Sequence, residues 1–182
     1  MMKEFLQGKS IHIPLHALMV HIPIGLWVTS FILDTIYLLD GSHPVAAASY
    51  YCILIGLIGA GLAIITGLAD RARLPKDSQI PRNIHLRRLT ATHMVINLVV
   101  TTLYLLNLFS RYAIGQRIAE NILEPVPSII TGGQFILSIF SIILLGMSSY
   151  IGTLLTYRYG VGLNLVLKKE EQKVEERTRK AA

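Results

Sequence analysis

Three histidines, His16, His21 and His93, lie inside or at the edge of long apolar runs in this 182-residue chain. An imidazole is costly to leave in hydrocarbon without a partner, so these positions are where chemistry is to be sought first. Neutral imidazole is a good ligand for haem iron or a metal ion, and it also serves as a hydrogen-bonding lock. Asn97 follows His93 by one helical turn and Gly25 follows His21 by one turn, giving one ring a polar neighbour and the other a gap. Asp70, Arg73 and Arg158 fall at or near the ends of the same runs, and Asp34 is the one acid well inside a run. Three readings stay open on these residues: axial ligation of haem by His21 and His93, a cofactor-free polar cluster, or a quinone, proton or metal-ion site. Cys52 is the single cysteine, which excludes an intrachain disulfide and a thiolate metal site.

The elements that must carry these residues are legible from hydropathy. Four apolar runs cover roughly 15–39, 45–68, 89–109 and 129–157. At ~1.5 Å per residue each can cross a ~30 Å hydrocarbon layer. The expected fold is therefore an all-α integral membrane protein, a four-transmembrane-helix bundle in one domain over 15–160, with an N-terminal segment 1–14 and a charged tail 161–182. A 52% hydrophobic fraction with only 15% charged residues agrees. The net charge of +6 does not point to nucleic acid, because the basic residues sit in the second loop (Arg71, Arg73, Lys76, Arg82, Arg87, Arg88) and from Arg158 onward. That bias places both termini in the cytoplasm and matches anionic lipid headgroups as partners. The first run is too long for a signal peptide and contains Asp34.

The connection Asp40-Gly41-Ser42-His43-Pro44 is short and predicts a tight hairpin of the first two helices. Gly56, Ala60, Ala63 and Gly67 make a small-residue stripe suited to close helix packing, or to a slot for a flat ring. Gln134, Ser138, Ser141, Ser148, Gly152 and Thr156 make a hydroxyl seam along the fourth run, again suited to packing, with a solute path as the alternative. Measured from the start of their runs, His21 lies ~9 Å deep and His93 ~6 Å, which puts their rings near one level. Asp34 is expected to bond a group of the third loop or fourth helix, in preference to carrying protons. His12, His43 and His85 are expected at the interface. The tail is expected to be a solvated helix. No internal sequence repeat, phosphate-binding glycine loop, zinc-protease helix or serine-hydrolase elbow is present.

The run Pro14-Leu15-His16-Ala17-Leu18-Met19-Val20-His21-Ile22-Pro23-Ile24-Gly25 resembles the opening motif of a family of small bacterial membrane proteins known as domain of unknown function 2231. Gly67-Leu68-Ala69-Asp70 with Arg73-Leu74-Pro75, His93 with Asn97, and Tyr157-Arg158-Tyr159-Gly160-Val161-Gly162 resemble later parts of the same pattern. Ala17 stands where the family usually has proline, and Tyr159 where it often has histidine, so a ligand at that last position would be missing here. The resemblance implies a bacterial inner-membrane protein and supplies no established reaction; relatives joined to redox domains suggest electron transfer by analogy only. The leading expectation is a histidine-centred site near the cytoplasmic face that binds haem b and serves membrane electron transfer, with redox membrane subunits as partners. A cofactor-free scaffold or assembly subunit is the alternative, followed by a small transporter. A stand-alone enzyme is not expected.

Overall fold

The computed structural model describes residues 15–71, 84–119, 129–159 and 177–179. Its helices are α1 (Leu15–Met19), α2 (His21–Asp40), α3 (His43–Arg71), α4 (Ile84–Ala119) and α5 (Gly132–Thr153), the last running into a π-helical turn, Leu154–Arg158. Four helical stretches are long and apolar enough to cross a membrane: Leu15–Asp40, His43–Ala69, Ile84–Ile114 and Gly132–Arg158. These are the first to fourth spans below. Among the described residues there is no strand, as an all-α bundle requires.

Local chemistry accounts for the boundaries. The first span is interrupted at Val20, between α1 and α2. Pro23 lacks the N–H that would bond the Met19 carbonyl, so one rung of the helical ladder is missing there. At the far end Gly41 adopts φ 68°, the left-handed conformation that glycine tolerates, and its N–H closes on the Tyr37 carbonyl at 2.8 Å. The Asp40 carboxylate accepts from the Ser42 N–H at 2.9 Å, and Pro44 occupies the first turn of α3, so the hairpin is tight. Thr131 and Gln134 form a reciprocal capping box at the start of α5.

The third span extends beyond its apolar run in both directions. Arg111, which the run ending at Phe109 assigns to a loop, is inside the helix and buried. Its charge has a partner in the core, so the helix need not end where the hydropathy falls.

The bundle centre is built by Trp27, Ile53, Ala60, Val100, Tyr104, Leu108 and Leu145. Trp27 and Tyr104 stack with ring centroids 4.2 Å apart, and a side chain at Gly56 would collide with the Trp27 ring. The small-residue stripe is thus a packing surface for the first span, with Gly56 under Trp27 and Gly67 under His16. Large apolar side chains such as Ile32, Ile58, Phe109 and Phe140 face outward, while Ser30, Asp34, Asn107, Arg111 and Ser138 are buried. Polar groups gather inside because lipid offers them no hydrogen bonds.

The N-terminal segment 1–14, with His12, and most of the second loop, with Arg73, lie outside the described residues. So does most of the tail, of which 177–179 are helical and exposed.

Candidate functional site

Two polar clusters occupy opposite ends of the bundle. At the end near the first hairpin turn, Asp34 of the first span and Arg111 of the third form a buried ion pair, with side chains 0% and 1% exposed. Arg111 donates through Nη1 and Nη2 to the two carboxylate oxygens at 3.0 and 2.6 Å. Ser49 of the second span and Ser138 of the fourth donate to the same carboxylate, so every span reaches Asp34. The Arg111 Nε–H donates to Asn107 Oδ1 at 2.8 Å, and Asn107 Nδ2 donates to Ser138 Oγ and the Gln134 carbonyl, each at 3.0 Å. A buried charge pair is tolerable only when its remaining hydrogen-bonding capacity is met in this way. The bond from Asp34 to the fourth span is the kind expected from the sequence. Arg111 is the partner that hydropathy concealed, and the signal available was an acid inside the first apolar run and an arginine just past the end of the third.

At the other end stand His16 and His93. The His16 Nδ1 lies 2.8 Å from the Ala63 carbonyl, and the His93 Nδ1 lies 3.0 Å from the Ser148 carbonyl. A carbonyl can only accept, so each Nδ1 carries a proton and donates it. Both rings also rest on a glycine one turn further along the facing helix. A Cβ at Gly67 would come within 2.9 Å of the His16 ring, and one at Gly152 within 3.0 Å of the His93 ring. Asn97 Nδ2 lies 3.1 Å from His93 Nε2 and donates to the His93 carbonyl at 3.0 Å, whereas His16 Nε2 has no partner among the described residues.

His21 is placed elsewhere. It is exposed on the outside of the first span and forms no side-chain bond among the described residues, and the space over Gly25 is open, so this pair does not enclose a slot. His21 follows His16 by five residues, about 140° further round the helix, so with His16 turned inward His21 faces out, which matching depths alone does not register. Arg158 is exposed with its guanidinium 6.0 Å from the Tyr159 ring centre. Tyr159 in turn faces His85 at 6.3 Å, and His43 lies 6.5 Å from Tyr37. Asp70 belongs to α3, and its side chain is outside the described set. The fourth-span seam is mostly interior: Gln134, Ser138, Ser141 and Ser148 are buried.

A family profile described as "Predicted membrane protein (DUF2231)" matches residues 12–164, which takes in all four spans and both polar clusters. The chain belongs to this family. No curated protein and no solved structure matches it. For this DUF2231 protein the functional reading therefore rests on its own geometry. Among the described residues no group of three or more His, Cys, Asp or Glu side chains converges as a metal-binding set.

Proposed function

We propose that the His16 and His93 pair is the ligand site of this membrane protein, that the group it takes is haem b, and that the protein serves electron transfer in the bacterial inner membrane. The observation that carries the reading is the common setting of the two rings. Each donates Nδ1–H to a carbonyl of the facing helix and so keeps Nε2 as the ring's remaining donor atom, the orientation that metal-binding histidines adopt, with Asn97 to be displaced from His93 Nε2 on ligation. Two imidazoles are too few for a bare ion, but they suffice for an iron whose other four positions a porphyrin fills. The glycines beneath the rings let both imidazoles lie close to the neighbouring helix backbone. A π-helical turn follows Gly152 within two residues, and such turns recur at functional sites.

A second reading rests on Asn97. Its amide satisfies His93 Nε2, so the same cluster also works as a cofactor-free lock in a scaffold or assembly subunit. The absorption spectrum of protein purified after haem-supplemented expression decides between the two. The haem reading requires a Soret band that shifts on reduction, is lost in His16→Ala and in His93→Ala, and survives in His21→Ala. A purified, folded protein without that band refutes it and leaves the lock.

A further inference from the structure

We infer that the four spans are two copies of one helical hairpin, set side by side around a pseudo-two-fold axis that runs along the bundle, with His16 and His93, Trp27 and Tyr104, and Asp34 and Arg111 as counterpart pairs, the last two meeting on it. This inference is independent of any bound group.

Asp34 and Arg111 are 77 residues apart, and the same interval separates Trp27 from Tyr104 and His16 from His93. In a two-fold arrangement, equivalent residues touch each other only at the axis. Trp27 stacks on Tyr104 and Asp34 pairs with Arg111, so two of the three pairs make direct contact. The contacts within each hairpin repeat as well. His16 bonds the Ala63 carbonyl and rests on Gly67; His93 bonds the Ser148 carbonyl and rests on Gly152. In both cases the glycine is one turn beyond the carbonyl. Near the other end Ser49 donates to the Ser30 carbonyl, and its counterpart Gln134 accepts through its own carbonyl from Asn107, the counterpart of Ser30.

The repeat is one of spacing and burial, which is why identity does not reveal it. His16 and His93, Gly61 and Gly146, and Gly67 and Gly152 are identical, whereas the axial charges are of opposite sign. That opposition makes each hairpin the complement of the other. Two N-terminal hairpins meeting in the same way would bury two carboxylates, and two C-terminal hairpins two guanidinium groups, both strongly unfavourable.

Exchange of counterpart residues in the full-length protein tests the inference. The first series compares Asp34→Arg/Arg111→Asp alone with the same pair plus Ser30→Asn/Asn107→Ser. The second compares Trp27→Tyr/Tyr104→Trp alone with the same pair plus Gly56→Ser/Ser141→Gly. Equivalent environments predict that the added exchange raises the unfolding midpoint in detergent, since the transplanted arginine regains its asparagine and the transplanted tryptophan its glycine. Should the charge-inverted pair fail to fold with and without its neighbours, the aromatic series decides alone. An added exchange that lowers the midpoint, or leaves it unchanged, in the deciding series overturns the inference.

Discussion

Removing one member of the Asp34–Arg111 pair should cost far more than removing both. In Arg111→Met, Asp34 keeps only the hydroxyls of Ser49 and Ser138 and remains a carboxylate in an apolar core. In Asp34→Leu, Arg111 keeps only Asn107 Oδ1 and the Ser49 hydroxyl. Breaking a buried pair from either side typically costs about 3–5 kcal/mol. In the double variant both charges are gone. Ser49 still donates to the Ser30 carbonyl, whereas Asn107 Oδ1 loses its donor and the Ser138 O–H, which still accepts from Asn107 Nδ2 at its oxygen, loses its acceptor. Each such loss is worth about 1–3 kcal/mol, and the Ser138 one is shared with the Asp34→Leu variant. The double variant should therefore be no less stable than either single one, with a coupling of about 3 kcal/mol or more. Equilibrium unfolding of the four proteins in mixed micelles with a denaturing detergent measures the cycle. Additive losses, with the double variant losing the sum of the singles, would refute the assignment of Asp34–Arg111 as a coupled pair.

Other expectations concern packing, capping and topology. Gly67→Leu and Gly152→Leu should each displace the histidine ring resting there and lower the unfolding midpoint, whereas Gly25→Leu and Gly146→Leu, which meet open space, should be mild in the same melt. Thr131→Ala removes the side-chain acceptor of the capping box and should cost about 0.5–2 kcal/mol, read from the same unfolding equilibrium. If the second loop is cytoplasmic, an impermeant thiol reagent applied to intact cells should label a cysteine placed at Ser42 and spare one placed at Lys76; the reverse pattern inverts the topology.

What the sequence determined by itself was the class of the protein. Four apolar runs of spanning length leave a helical bundle as the economical way to satisfy every backbone group in lipid, and the glycine and proline of the first connection set the hairpin. The opening motif and the histidine and asparagine of the third span were enough to indicate the family. The sequence also singled out His16, His93, Asn97 and Asp34. It could not choose their partners, because a depth along one helix says nothing about the direction in which a ring points. Five residues along the helix turn His21 away from the face on which His16 meets Ala63, and only the packed bundle decides which of the two faces is the interior. Arg111 shows the complementary failure: hydropathy counts a charge as a boundary, while the folded bundle buries it against a carboxylate 77 residues away. Only tertiary structure supplies that partner, and only with the partner is the burial of the charge favourable enough to persist. The two-fold character has the same origin, since it lies in which residues meet across the axis, and sequence identity between the halves is confined to a few positions.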